Sequence, residues 1–264
     1  LDISGATLEL DVTGSPAETA YVIASYPAGQ LTGAFAAVSG MPAGYVLNTV
    51  YNSGTEIAVV DVTTITTTGW DGESSASWTN DTNWLDNQAP AAGSNLIFTA
   101  GANRTTINDF PVDTAFALEF GGTGFDLTGN AIEIADNSDT DDIKAASTGT
   151  NTISLNMALT NDTHVNVSAG RLEVDGAITG AHSLSKISAG TLVLNGTGNS
   201  VSDLNAAGGN LALVGNSTTA VSGNMLVANS GITGGDNGTL IVTNSASLTV
   251  DGRFLMGNKH NKIG

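Results

Sequence analysis

The chain has 264 residues, of which 25 are acidic and 7 are basic, so its net charge is −18 at neutral pH, and it contains no cysteine. This composition excludes disulfides and cysteine-ligated metals, and it argues against a nucleic-acid partner, whose phosphates require lysine and arginine. No apolar run reaches 18 residues, so no transmembrane helix is predicted.

The first segment, residues 1–66, alternates apolar and polar residues in short stretches such as "ATLELDV" and "EIAVVDV". Alternation with a period of two residues predicts β-strands, and residues that favour helices are scarce along the whole chain. We therefore predict an all-β protein with a β-rich N-terminal segment, which ends within the threonine-rich stretch "TTITTTG".

The second segment, residues 67–130, contains every tryptophan of the chain: Trp70, Trp78 and Trp84. Tryptophans can cover the first coil of a stacked β-structure, where no neighbouring coil protects the core. Exposed tryptophans can instead stack on sugars, because aromatic faces favour sugar C–H groups. We expect the capping role for this segment, with sugar stacking as the alternative.

Two acidic features raise the question of calcium. The sequence "GGTGFDLTG" at 121–129 fits one nine-residue calcium repeat, with Asp126 at the ligand position, but its neighbours do not continue the pattern. One turn offers only part of the 6–8 oxygen ligands that calcium takes. A denser cluster follows and lacks the glycine and closing glutamate of an EF-hand loop; its carboxylates are Asp136, Asp139, Asp141 and Asp142. We expect no cofactor; calcium at these residues is the alternative to a glycine turn and a solvated loop.

The third segment, residues 131–264, contains internal repeats. The stretches "AGRLEVDG", "AGTLVLNG", "GGNLALVG" and "NGTLIVTN" align on four leucines: Leu172, Leu192, Leu211 and Leu240. The first two intervals are nearly equal, and the third is about half as long again. A strand–turn–strand unit that recurs about every 20 residues is typical of a parallel β-solenoid. We expect these leucines to form one interior row, with an extra strand or a looped-out segment in the longest interval. An antiparallel sandwich is the alternative.

Signatures of chemistry are missing from the sequence. It contains no H-E-x-x-H, G-x-S-x-G, Walker A or dinucleotide-binding motif, and its three histidines lie far apart. We predict no catalytic residues and a structural, non-enzymatic protein.

The two ends of the chain carry opposite charges. The start, "LDISGATLELDV", has a strand pattern, whereas the last twelve residues hold three of the seven bases. Unpaired strand edges invite another chain. We therefore expect head-to-tail contact with a second copy, in which opposite charges pair; the residues are Asp2, Glu9, Asp11, Arg253, Lys259 and Lys262. The alternative is that both ends continue in a longer tandem chain.

The repeats resemble a known family. The stretch "ISAGTLVLNGTGNSVSDLNAAGGNLALVGNS" resembles the autotransporter-associated β-strand repeat. Residues 70–98 are similar to the stretch that often precedes such repeats, and residues 20–60 are similar to the segment that closes a repeat array. The resemblance implies a β-helical, secreted or cell-surface bacterial scaffold without catalytic residues. It also implies that the chain spans the end of one array and the start of another.

The expected function is therefore a structural, extracellular or cell-surface scaffold in the form of a rod, fibre or matrix component. Two alternatives share the same fold class. One is a polysaccharide-binding or polysaccharide-cleaving β-helix, for which a paired acidic patch beside an aromatic side chain would be the sign. The other is an adhesin, which presents the same rod to a receptor.

Overall fold

The structure of the protein is a computed structural model, and it describes residues 1–11, 20–27, 29–42, 45–50, 55–61, 66–136, 141–228 and 237–257. Within these residues the chain forms strands and two short 3-10 helices, Asp81–Asn83 and Leu85–Asn87, and no α-helix. The all-β prediction is confirmed.

The N-terminal part forms two small sheets with their own core. One sheet pairs two strands in parallel, and the other is antiparallel with its last strand in the middle. Ile3, Tyr26 and Ile57 are buried between them. The strands are β1 (Thr7–Glu9) and β3 (Ala37–Ser39) in the first sheet, and β2 (Ala20–Ser25), β4 (Tyr45–Val50) and β5 (Glu56–Asp61) in the second.

A parallel β-solenoid follows, with six complete coils between Asn95 and Val221. The solenoid fold is as predicted, but its coils begin within residues 67–130, before the repeats of the third segment. Each coil places one strand on each of three faces, and each strand pairs in parallel with the strand one coil away. The first face consists of β6 (Thr67–Gly69), β7 (Asn95–Phe98), the second half of β9 (Thr114–Phe120), β12 (Ile143–Ala145), β15 (Thr163–Val167), β18 (Leu184–Ile187), β21 (Leu204–Ala206), β24 (Met225–Val227) and β27 (Phe254–Met256).

The other two faces follow in chain order within each coil. The second face consists of β8 (Thr105–Asn108), β10 (Asp126–Gly129), β13 (Thr150–Ile153), β16 (Arg171–Val174), β19 (Thr191–Leu194), β22 (Asn210–Leu213) and β25 (Thr239–Val242). The third face consists of the first half of β9, β11 (Ile132–Ile134), β14 (Met157–Leu159), β17 (Ile178–Thr179), β20 (Asn199–Val201), β23 (Thr218–Val221) and β26 (Ser247–Val250).

The four repeat leucines occupy one row of the second face. Leu172 pairs with Leu192, Leu192 with Leu211, and Leu211 with Leu240. The first three are fully buried, and Leu240 is partly buried against the same core. A β-strand alternates its side chains, so Glu173, Val193 and Ala212 point to the opposite side of the sheet from the leucines. The row continues from coil to coil because parallel pairing keeps the register.

The longest interval between repeat leucines, from Leu211 to Leu240, contains the usual third-face and first-face strands, β23 and β24. The additional length therefore lies between Val227 and Thr239, in the connection from the first face to the second. The same connection holds three residues between Ile187 and Thr191. Residues 229–236 of the longer connection fall outside the described residues, as do 137–140 of the acidic cluster.

A tight corner explains why glycine precedes the repeat leucines. Gly170 and Gly209 both have φ of +60°, a conformation that favours glycine. A Cβ on Gly209 would lie 2.4 Å from the carbonyl oxygen of Gly190 in the preceding coil. At these two positions glycine thus permits both the turn and the close stacking of coils.

Candidate functional site

The first end of the solenoid is closed by the three tryptophans. Trp70, Trp78 and Trp84 are at most 2% exposed. The ring centroids of Trp70 and Trp84 lie 5.0 Å apart in an edge-to-face arrangement, and Trp78 lies 5.8 Å from Phe98 of the first complete coil. Such aromatic contacts add to the stabilisation from buried area. We call this tryptophan cluster the aromatic cap.

Each indole N–H of the cap has a partner within the protein. Trp70 Nε1 donates to the Asn103 carbonyl at 2.8 Å, and Trp84 Nε1 donates to the Trp78 carbonyl at 2.7 Å. Trp78 Nε1 donates to the Thr106 hydroxyl at 2.8 Å. Because these rings are buried, none offers a face to a sugar, and the carbohydrate alternative requires other aromatic residues.

Polar residues hold the cap segment together and join it to the solenoid. The buried side chain of Asn83 accepts from the backbone N–H groups of Ser74 and Ser75 at 3.0 and 2.8 Å. The carboxylate of Asp109, which follows β8, accepts from the Ser77 hydroxyl and from both the N–H and hydroxyl of Thr79. Partial burial opposes ionisation of Asp109, but these hydrogen bonds outweigh it and hold the pKa below its usual value.

The other end of the solenoid is open among the described residues. β25, β26 and β27 are each the last strand of their face, so each has one unpaired edge. Val242 is 44% exposed and Met256 is 71% exposed, although their partners one coil earlier, Leu213 and Val227, are buried. These three strands together are the open end, where apolar side chains and backbone polar groups face solvent.

The calcium candidates do not converge on one place. Asp126 begins β10 on the second face, where its carboxylate accepts from the Ser154 hydroxyl at 2.7 Å. Asp141 and Asp142 precede β12 on the first face, where they accept from the Asn166 amide and the His164 N–H, both at 2.8 Å.

Asp136 lies after β11, and Asp139 lies outside the described residues. Within the part of the chain that the structure describes, no three histidine, aspartate or glutamate side chains gather as a metal site. The calcium alternative therefore stays a prediction.

Lys186 is a buried cation that no sequence motif marks. It is fully buried on β18, in the interior row between Val165 and Ala206. Its ammonium donates to the carbonyls of Ile187, Ser188 and Gly208 at 2.6, 2.8 and 3.0 Å. Burial lowers its pKa to about 8, and it joins the corners of two successive coils.

One acidic pair lies beside aromatic residues. Asp113 and Glu133, near the third face, line a groove of about 970 Å³ together with Phe35 and Tyr45 of the N-terminal sheets. Burial raises the pKa of Glu133, and the negative charge of Asp113 raises it further. A carboxylic acid with a raised pKa next to a second carboxylate is a usual arrangement for acid–base chemistry on sugars.

The expected assembly residues fall in two places. Asp2, Glu9 and Asp11 are exposed in the N-terminal sheets rather than in the first coil of the solenoid. Arg253 is exposed beside the open end, immediately before β27. Lys259 and Lys262 lie outside the described residues.

The comparisons with known proteins add no relative. In the described residues, no helix has the length and apolar character needed to cross a membrane. No protein-family model, no curated protein and no solved structure matches the chain.

Proposed function

We propose that this protein is a structural, non-catalytic scaffold whose working part is the solenoid. The observation that carries the proposal is the single cluster of buried apolar side chains that runs from the aromatic cap to the open end. Every coil is hydrogen-bonded to its neighbours on three faces. A structure of this kind resists bending, because a bend would break ladders on at least one face.

The dimensions fit a short rod. Nine strands stack on the first face, and strands in a sheet lie roughly 4.8 Å apart, so the eight intervals span about 40 Å. The net charge of −18 favours solubility and disfavours unspecific association. Longer rods require more coils on the same axis, from a second copy or from a longer tandem chain.

A secreted or cell-surface location in a bacterium is part of this proposal. Its support is the resemblance of the repeats to autotransporter-associated β-strand repeats. An adhesive function would use the same rod, with the longer connections at the edges of the faces as the presenting surface.

The proposal can be tested by solution scattering and electron microscopy of the isolated protein. We expect an elongated, rigid particle, and rods or fibres in the native material. A compact or flexible particle would contradict the scaffold function.

The acidic groove supports a second candidate, binding or cleavage of a polysaccharide. Asp113 and Glu133 supply two carboxyl groups, and Phe35 and Tyr45 supply aromatic surface in the same groove. In this function Glu133, whose pKa is raised, donates the proton and Asp113 acts as the ionised partner.

Measurement of reducing sugars released from acidic and neutral polysaccharides separates the two candidates. The scaffold proposal expects no release above background. If sugars are released and Glu133→Gln abolishes the release while Glu119→Gln does not, the protein is an enzyme and the scaffold proposal fails.

A further inference from the structure

The open end contains an incomplete coil. β27 supplies its first-face strand, but among the described residues nothing pairs with the outer edges of β25 and β26. The N–H groups of Ser247 and Asp251 donate back to the preceding coil. Since backbone groups of successive residues in a parallel strand point to opposite edges, those of Leu248 and Val250 point to the free edge.

The N-terminal sheets contain a corner of the same construction. Asp2 pairs with Thr32 and Thr7 pairs with Ala37, both in parallel, so residues 2–9 form one rung stacked on residues 32–39. The Ala6 N–H donates to the Ile3 carbonyl at 3.0 Å. Four residues separate the paired positions Asp2 and Thr7.

The corner between the second and third faces at the open end matches this rung. Four residues also separate Val242 of β25 from Ser247 of β26, and there the Ala246 N–H donates to the Thr243 carbonyl at 3.2 Å. The two strands also share one burial pattern. Thr7, Leu8 and Glu9 of β1 are exposed, partly buried and exposed, and so are the first three residues of β26, Ser247–Thr249.

We propose that the open end binds residues 2–10 of a second copy of this chain, with β1 of that copy stacked in parallel on β26. In this register Thr7 lies opposite Ser247, Leu8 opposite Leu248, and Leu10 opposite Val250. The two leucines extend the interior row of the third face, so the contact buries apolar surface that the isolated chain leaves exposed.

Backbone polarity selects this register. The Ala6 carbonyl accepts from the Ala36 N–H, and the Leu10 N–H donates to the Ser39 carbonyl, so the backbone groups of Ala6 and Leu10 face β3. Because the direction alternates along a strand, the backbone N–H and C=O groups of Thr7 and Glu9 point to the outer edge of β1. A residue in a parallel ladder bonds to the two residues that flank its partner. Leu248 opposite Leu8 therefore meets Thr7 and Glu9, whereas a shift by one residue would bring together groups that point away.

The proposed contact is compatible with the positions of β27 and the aromatic cap. The first copy retains β27 on the first face, while the second copy contributes the corner and the third-face strand. The aromatic cap closes the opposite end of the solenoid, so copies associate in one direction only, as an open head-to-tail series. Asp11 would lie opposite Asp251, with Arg253 two residues further, so apolar burial rather than net charge attraction drives the contact.

This inference rests on the proposed scaffold function, and sedimentation of the full chain tests it separately. We expect concentration-dependent association of the wild type. Leu248→Lys should raise the dissociation constant at least tenfold, because its charge is accessible to water in the single copy and buried in the contact. The matched control Thr249→Lys places the same charge on the outward side, opposite Glu9, and should associate at least as well as the wild type.

Cross-linking tests the register, since the chain has no cysteine of its own. A mixture of Glu9→Cys and Thr249→Cys proteins should form a mixed disulfide dimer under mild oxidation, because directly paired positions allow disulfide geometry. The control mixture of Glu9→Cys and Ser247→Cys, displaced by two residues, should form at least fivefold less.

The outcomes separate the two proposals. A wild type that stays a single rigid rod at all concentrations overturns the docking inference and leaves the scaffold function standing. Equal cross-linking in both mixtures, or unchanged association of Leu248→Lys, also overturns the inference. A compact or flexible particle in scattering overturns the scaffold function itself.

Discussion

The two ends of the solenoid solve the same problem differently. A stack of coils must end somewhere, and its last interior side chains then face water. At the first end the chain covers them with Trp70, Trp78 and Trp84, all buried. At the other end Val242 and Met256 stay largely exposed, and the strand edges lack partners among the described residues. The repeat pattern itself treats all coils alike, so the difference is made by residues outside the repeat.

One short segment outside the repeat is thus enough to make the two ends of a stack of coils unequal. A capped end cannot receive another coil without losing the cap, whereas an open end offers three edges at once. Measurements that affect one end but not the other are therefore the most informative.

Removal of the cap should cost the most. Trp84→Ala leaves a large cavity beneath the first complete coil, and it should lower the free energy of unfolding by about 3–5 kcal/mol. Urea unfolding followed by circular dichroism measures this change. Leu85→Ala, next to it but 58% exposed, should change stability by less than about 0.5 kcal/mol. Equal effects of the two variants would show that the tryptophans do not close the core.

A leucine of the interior row should contribute less to stability at the open end than in the middle of the solenoid. Leu192→Ala removes a fully buried side chain with coils on both sides and should cost about 2–5 kcal/mol. Leu240→Ala, in the same row but in the last coil, should cost about 1 kcal/mol because its cavity is open to water. If Leu240→Ala costs as much as Leu192→Ala under dilute conditions, the open end is covered in solution.

Between the two ends, the buried Lys186 should make the free energy of unfolding depend on pH. Its pKa is lowered by burial to about 8 from an ordinary value of 10.5, so between these values the unfolded chain binds more protons than the folded one. Stability should therefore rise with pH across this window, by up to about 3 kcal/mol.

A pH series of urea unfolding measures this rise, and Lys186→Met should abolish it. Lys144→Met, which removes a lysine from the outer side of the first face, should retain it. A wild-type curve that is flat from pH 8 to 10.5 would contradict this account of Lys186.

Asp109, which binds the cap segment through Ser77 and Thr79, should make a smaller contribution to stability, and this contribution should be lost at acid pH. The pKa of Asp109 is held below its usual value by Ser77 and Thr79, so its stabilisation is present above that usual value and is lost as pH falls through the lowered pKa. Because Asp109 stays largely exposed, solvent screening reduces the contribution to about 1 kcal/mol. Asp109→Asn should lose this amount at neutral pH and nearly nothing in strong acid, as thermal unfolding under the two conditions would show.

Treatment with a calcium chelator should not change the stability of either end. The carboxylates of Asp126 and Asp142 are on different faces and accept hydrogen bonds from protein groups. We expect the melting temperature with and without EDTA to agree within about 1 °C, a shift smaller than a single weak interaction would cause. A large drop would place calcium at the acidic cluster and reverse the expectation that no cofactor is bound.

The repeat part of the fold was predictable because its signals are local. A Cβ at Gly170, Gly190 or Gly209 would lie within 3.0 Å of atoms of the preceding coil, so the same small residue recurs before Leu172, Leu192 and Leu211 and reveals the row from the amino-acid pattern alone. The repeat predicts a strand–turn–strand unit, but it does not show that each coil has three faces. The shortest third-face strand, Ile178–Thr179, is too brief for an alternation signal.

Lys186, the N-terminal rung and the Asp109 contact were less predictable, because each depends on residues that are distant in sequence. Lys186 looks like a surface residue by type, and only its phase with Leu184, two residues earlier, indicates an interior position. The rung formed by residues 2–9 pairs with residues 32–39, and no motif announces that pairing. Asp109 holds Thr79 of the cap segment from the far end of β8, a contact that charge patterning does not show.

The parallel register has a consequence for how the chain folds. Arg171 pairs with Thr191, only about 20 residues away, and strand pairs that are close in sequence form faster than distant ones. Each coil needs only its predecessor as a template, so the chain can acquire native structure progressively during synthesis. Within the solenoid part the tryptophan cluster is synthesised before every complete coil, and the last coil, which has a neighbour on one side only, is expected to fray first.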